Sequence, residues 1–365
     1  MASMRSYPSA KGLRYFSIGV LLAPLLFCNA LAQDSLADQL QKGIDEGSLK
    51  GLHSVVSMAD NELIASAFFD GEDELWGRPQ GMTKHSADTQ HDLRSVTKSI
   101  VGLLYAIARD KGVVPDPSAG LYAQFPAYED LASDKARQKI KIEHALTMSM
   151  GTAWNENLPY TDPNNSEIAM ENASDRYRFI LEQAIIGEPG VQWDYSGGAT
   201  AIVGKLIANG AGKSLDAFAK ENLFTPLGIS QFTWVKGRDN EPSAASGLRL
   251  RALDLAKVGQ LIADGGMYKG KRIVSEKALA TMLKPRMQIG SNFQYGHFWY
   301  LLGPIDNPVL AAAFGNGGQR LSVNAKQNLV TVIFAGNYNQ PDDWKLPVKV
   351  IEDYIVPELR KAGKL

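Results

Sequence analysis

The chain has 365 residues, with 38 basic and 39 acidic side chains for a formal net charge of -1, and 45% of it is apolar. That balance excludes a disordered or fibrous chain and lacks the basic footprint of a protein that holds a phosphate backbone, so nucleic acid is not an expected partner. The sole cysteine is Cys28, which excludes a disulfide framework, thiolate catalysis and cysteine metal sites.

In chain order, Arg5, Lys11 and Arg14 precede an apolar run over 18–27, followed by Asn29-Ala30-Leu31-Ala32. This is the pattern of a secretory signal peptide spanning 1–32, cleaved after Ala32. Its apolar run is shorter than the roughly 20 residues of a membrane span, so no stable anchor is expected once it is removed. Cys28 falls inside this leader, with Phe27 rather than a small residue before it, which disfavours lipidation. The remaining 33–365 read as one domain, exported to a periplasm or the medium.

An amphipathic helix is expected over 35–46, then a hairpin of 54–58 and 63–69 turning at Asp60-Asn61. The stretch 95–110 is apolar nearly all round, the mark of a helix buried on most sides, and Gly112 stops it. Between 113 and 285 the chain reads as mainly helical, with helices over 140–150, 176–186, 199–208 and 253–263. From there it switches to period-two, β-branched runs over 295–302, 309–314, 320–323 and 329–334, with a turn at 324–327 and a last helix over 348–361. Strands at both ends imply an α/β protein of the α+β kind. One antiparallel sheet is built from 33–112 and 286–365 and flanked by helices, and the helical region is inserted between its halves.

A serine hydroxyl needs a proton acceptor within about 3 Å to become a nucleophile. In Ser95-Val96-Thr97-Lys98 the i, i+3 spacing puts both side chains on one helix face, and no other serine of this chain has a lysine three residues later. To act as a base, Lys98 must be neutral, which requires its pKa to fall from about 10.4 toward 7, a shift that burial can supply. Two further elements follow: Trp193-Asp194-Tyr195-Ser196-Gly197-Gly198 at a loop-to-helix junction, and Phe314-Gly315-Asn316-Gly317-Gly318-Gln319 on the late strands.

In order and spacing these resemble the S-x-x-K, Y-x-N and K-T-G boxes of the penicillin-recognising serine hydrolases, in the class C β-lactamase-like family. Residues 146–151, 223–229 and 247–250 extend the resemblance from about residue 40 to the C-terminus. It implies a β-lactamase/transpeptidase-like fold, with Ser95 acylated, Lys98 as its base partner and Tyr195 as the proton shuttle. It also implies an oxyanion hole from the backbone N–H groups of Ser95 and Gln319, and substrate contacts from Asn316, Gly317, Gly318 and Trp193. Two positions depart from the pattern: Gly197 stands where the second box ends in Asn, and Asn316 where the third begins with Lys. Losing the third-box cation weakens a β-lactam reading, because that cation holds the substrate carboxylate. The expected function is hydrolysis of a carboxylic ester or short amide through an acyl-enzyme. The alternatives are a β-lactamase or D-alanyl carboxypeptidase, and a catalytically silent protein that binds ligands in the same cleft.

Other signals are weaker. Gly210-Ala211-Gly212-Lys213-Ser214 lacks the first glycine of a phosphate-binding loop and follows a helix rather than a strand, so it reads as a turn. The five histidines, His53, His85, His91, His144 and His297, show no metal-ligand spacing, and neither metal nor cofactor is expected. The absence of G-x-S-x-G removes the signal for an α/β-hydrolase. Trp154 and Tyr160, with Trp193, lie where cleft-bordering segments are expected, although such aromatics are more often core, Trp193 excepted because it stands two residues before Tyr195.

Overall fold

The computed structural model describes residues 35–305 and 307–365. The leader expected over 1–32, its cleavage site and Cys28 lie outside the described residues. Alternating apolar residues at the two ends of the chain pair into one antiparallel sheet. Its strands are β1 (Leu52–Ala59), β2 (Glu62–Phe68), β3 (Met287–Gly290), β4 (Phe293–Tyr295), β5 (Tyr300–Leu302), β6 (Leu310–Gly315), β7 (Gln319–Asn324) and β8 (Leu329–Ala335). They lie in the order β3-β4-β5-β6-β7-β8-β1-β2. Asp60 and Asn61 make the β1–β2 turn, both with positive φ, 51° and 65°, which the right-handed twist of a tight hairpin favours. The ends of the chain meet where β1 pairs with β8, Val55 opposite Ile333 and Ser57 opposite Thr331.

Successive side chains of a strand point to opposite faces, and β1 uses both. Val55 packs in a cluster with Leu40 of the Leu36–Asp45 helix and with Val350, Ile355 and Leu359 near the C-terminus. Val56 joins the larger core on the other face, with the Val96–Asp110 and Ala252–Ala263 helices. A Cβ added at Gly259 would stand 2.5 Å from Val330 Cγ1, so the glycine lets the second of these helices lie against β8 at close range.

The structure departs from the expected elements at four places. The run 295–302 forms two strands rather than one, because Phe298 takes φ 58° and reverses the chain. That turn is held by tertiary bonds: the Phe298 N–H donates to the Leu146 carbonyl at 2.9 Å and its own carbonyl accepts from Ser99 Oγ at 2.6 Å. The helix expected over 140–150 is limited to Ile142–Leu146, with Met148 at φ 52°, and that over 176–186 ends at Leu181. A polar hairpin, Gly71–Leu75 with Arg78–Thr83, has no apolar alternation to announce it and turns at Trp76-Gly77. Among the described residues no helix is long and apolar enough to cross a membrane.

Candidate active site

The short strand His91–Asp92 pairs with Leu248–Leu250 and delivers the chain through Leu93-Arg94 to Ser95. Arg94 sits at φ 48°, a left-handed conformation that costs a non-glycine residue roughly 1–2 kcal/mol. Its guanidinium is pinned by Glu74, by Asp92 at 3.3 Å and by the Tyr338 ring, whose centroid is 4.7 Å away. Ser95 then opens the Val96–Asp110 helix, but its hydroxyl makes no capping hydrogen bond and is left for other partners.

One turn on, Lys98 is 2% exposed. Its Nζ donates to Ser95 Oγ at 3.1 Å, to Glu167 Oε2 at 3.3 Å and to the Ala245 carbonyl at 3.1 Å, so all three ammonium protons have acceptors. Nζ also lies 4.8 Å from the centroid of the Tyr195 ring. Burial alone would push Lys98 down, but Glu167, Tyr195 and Glu156 outweigh it and hold the lysine well above its ordinary value. This corrects the expectation of a lysine lowered toward neutrality: the resting side chain is an ammonium, because a buried carboxylate pairs with it. Burial raises the Tyr195 phenol, against the pull of Lys98 and of its hydrogen bond with Ser95.

Glu167 comes from the first turn of the Ser166–Asn172 helix, capped by Asn165. The pull of Lys98 and the hydrogen bond from Ser246 Oγ at 2.7 Å overcome its burial and lower its pKa. Beside it, Glu156 is raised to about 8 by burial and by the charge of Glu167, and the two carboxyls share a hydrogen bond. Glu156 Oε1 accepts from Trp154 Nε1 at 2.6 Å and from the Gly197 N–H. With Oε1 taken up by these two donors, the Glu156 proton is assigned to Oε2. Both carboxyls occupy the room opened by the second-box departure: a Cβ at Gly197 would stand 2.7 Å from Glu167 Oε2 and 3.0 Å from Glu156 Oε1. That missing side chain was the only sequence signal that something else fills this space.

The protonated Glu156 has a measurable consequence. Its folded pKa exceeds the unfolded value of about 4.3, so its ionisation opposes folding increasingly as pH rises from about 5 to 8. Glutamine at this position keeps the acceptor at ε1 and a donor at ε2. Glu156→Gln should therefore match the parent near pH 5 and exceed it by a few kcal/mol near pH 8–9 in denaturant unfolding. A parallel pH dependence in the two proteins would show that Glu156 is ionised in the native state.

Ser95 opens on a cleft of about 600 Å³, also lined by Glu74, Trp76, Arg94, Tyr160, Glu167, Ser246 and Asn316. Tyr160 thus borders it, donating to Glu156 Oε2 at 3.3 Å, whereas Trp154 packs edge-on against Phe179. Asn316 is the third-box residue in the cleft lining. Its amide is locked to Asn339, accepting from the Asn339 N–H at 2.9 Å and donating to Oδ1 at 3.3 Å. Gly317 (φ 91°) turns its N–H to Asp343 at 2.6 Å, and Gly318 (φ 93°) follows. Gln319 is 1% exposed and braces the turn from inside, its amide bonded to Ala335 and to the Asn316 carbonyl. Trp193 stands behind Tyr195, against Tyr295. Among the described residues the N–H groups of Ser95 and Asn316 have no protein hydrogen-bond acceptor.

Three of the five histidines, which sequence spacing does not associate, converge behind this cleft with Asp73. Burial lowers His53 and His91 to about 3 and also lowers His85. His144 and His297 lie elsewhere, and His297 is buried against the Val96–Asp110 helix.

A family model described as Beta-lactamase matches residues 39–347. The chain is 25% identical over 171 residues to PbpX of Bacillus subtilis (strain 168), assigned as a penicillin-binding protein. That match covers 40% of this chain and 41% of PbpX, so the chain spans about two fifths of the length of the curated relatives it matches. Among solved structures, a Bacillus anthracis protein assigned as a 6-aminohexanoate-dimer hydrolase superposes with a TM-score of 0.71 at 17% identity, covering 89% of this chain and 82% of the other. A family VIII carboxylesterase superposes at 0.64 and 17% identity, covering 86% and 95%. At such identities the likeness is one of fold, and activity has to be argued from the site.

Proposed function

The chain belongs to the Beta-lactamase family, and we propose that within it the protein is an exported serine hydrolase cleaving a carboxylic ester or short amide through an acyl-enzyme on Ser95. The observation that carries this reading is the 3.1 Å contact between Ser95 Oγ and Lys98 Nζ at the wall of the cleft.

The resting Lys98 is charged, so the base must be made within the buried pair. As substrate displaces water, Lys98 passes one proton to Glu167. The pair goes from ammonium and carboxylate to amine and acid, a neutral form that a drier cleft favours. The amine takes the proton of Ser95 as Oγ attacks the substrate carbonyl. Tyr195 relays that proton to the departing alkoxide or amine, and the reverse transfers activate the water that releases the acid. The developing oxyanion is received by the N–H of Ser95 and, we infer, by that of Asn316 rather than Gln319. One such donor contributes about 3 kcal/mol to the transition state.

At the third box the side chain is a neutral amide already engaged with Asn339, and a hydrogen bond to a charged group is worth about 1.5–3 kcal/mol. Side-by-side assays should therefore give p-nitrophenyl butyrate a kcat/KM about ten- to hundredfold above that of nitrocefin. Nitrocefin turned over faster than the ester would move the assignment to a β-lactamase. The basic and apolar leader supports export, and N-terminal sequencing of the secreted protein should begin at Gln33.

A further inference from the structure

We propose that His53, Asp73, His85 and His91 form a closed site for one divalent transition-metal ion, zinc by the chemistry of its donors, directly behind the active-site cleft. The four residues come from four separate segments: β1, the Gly71–Leu75 strand, the loop after the Arg78–Thr83 strand, and the His91–Asp92 strand. Each presents one ligand atom, and these atoms all lie within 4.8 Å of one another. His53 Nδ1 is 2.9 Å from His91 Nε2, and His91 Nε2 is 3.7 Å from Asp73 Oδ1. Four ligands at zinc–nitrogen and zinc–oxygen distances sit about 3.3 Å apart around a tetrahedral ion. The observed spacings bracket that value.

The surroundings orient the donors as metal sites require. His91 Nδ1 faces the Asp92 carbonyl at 3.0 Å; donating its N–H there leaves a bare lone pair on Nε2, turned toward the cluster. Tyr338 donates its hydroxyl to Asp73 Oδ1 at 2.9 Å, fixing the carboxylate. A set held by hydrogen bonds alone accounts for these groups less well. Exposures run from 0% for His53 to 6% for His85 and Asp73, and His85 Nε2 has no hydrogen-bond partner. Buried polar nitrogens without partners cost about 1–3 kcal/mol each. Three imidazoles and one carboxylate with no open position make a structural rather than a catalytic zinc site.

Its position gives it a purpose. The hairpin that carries Asp73 also supplies Glu74, Trp76 and Arg78 to the cleft wall, and His91 lies four residues before the nucleophile. An ion here would fasten that wall and the approach to Ser95 onto β1.

The full chain should be purified without an affinity metal or chelator and its metal content measured by plasma mass spectrometry. The expected result is about one zinc per chain. After chelation the protein should take up one equivalent of cobalt(II), with the visible absorption of a tetrahedral N/O site. His85→Asn and His53→Asn should each lose most of that uptake, whereas His144→Asn, which alters a histidine outside the cluster, should retain it. If either cluster variant fails to fold, the cobalt spectrum of the parent decides the matter alone. A parent that neither retains zinc nor takes up an equivalent of zinc or cobalt after chelation would overturn the proposal. So would cluster variants that bind metal as the parent does.

Discussion

Ser95→Ala is expected to hydrolyse p-nitrophenyl butyrate about 10⁴-fold or more slowly than the parent between pH 6 and 9, the scale of loss when a covalent nucleophile is removed. The fold should survive the change. Ser95 contributes no capping hydrogen bond to its helix, and Lys98 keeps Glu167 and the Ala245 carbonyl as acceptors when Oγ is gone. Circular dichroism and a melting curve close to those of the parent would therefore accompany the inactive variant. Equal activity in both proteins would mean that another residue attacks the substrate. A parent inactive on the ester but labelled at Ser95 by a fluorophosphonate would instead point to a narrow amidase.

Glu167→Gln should lower stability at pH 7 by about 3–5 kcal/mol, because it leaves a buried ammonium without its counter-charge. The sign of its pH dependence follows from the two pKa directions. In the parent, the folded pKa of Lys98 lies above its unfolded value and that of Glu167 lies below. The pair therefore stabilises the fold above the unfolded carboxylate range near pH 4.3 and below the unfolded lysine value near pH 10.4. In the variant, burial lowers the folded pKa of Lys98 below its unfolded value. The resulting penalty is present at neutral pH and fades as pH rises toward about 10. Denaturant unfolding at pH 5, 7 and 10 reads this directly. The deficit should be large at pH 7 and smaller at pH 10, and no deficit at pH 7 would show that Glu167 does not support the charge on Lys98. Glu156, relieved of its charged neighbour, ionises more readily and can take over part of that role, so Glu156→Gln combined with Glu167→Gln should carry the larger loss.

The two parts of the proposed catalytic machinery differ in how far the sequence reveals them. Ser95 and Lys98 are legible because their relation is local: three residues apart on a helix whose apolar periodicity declares it buried. The sheet is legible for the same kind of reason, since period-two runs at both ends of the chain, the Asp60-Asn61 turn and the stop at Gly112 each act over a few residues. The polar Gly71–Leu75 and Arg78–Thr83 hairpin escaped because it carries no alternation. The run 295–302 reads as one strand because the bonds that bend it at Phe298 come from Leu146 and Ser99.

What only the tertiary structure decided is which charges meet in the interior. The proton state of Lys98 depends on Glu167, 69 residues away, and on Glu156 in a loop with no periodicity. Gly197 hinted at spare room without saying that two carboxyls would fill it. The convergence of His53, Asp73, His85 and His91, and the turn that places Asn316 rather than Gln319 at the cleft, arise likewise from packing of separated segments. Sequence determines backbone propensity and the face a side chain occupies through forces between near neighbours. The charge a buried group carries depends on the distance to its partners and the water excluded between them, and the complete fold sets both.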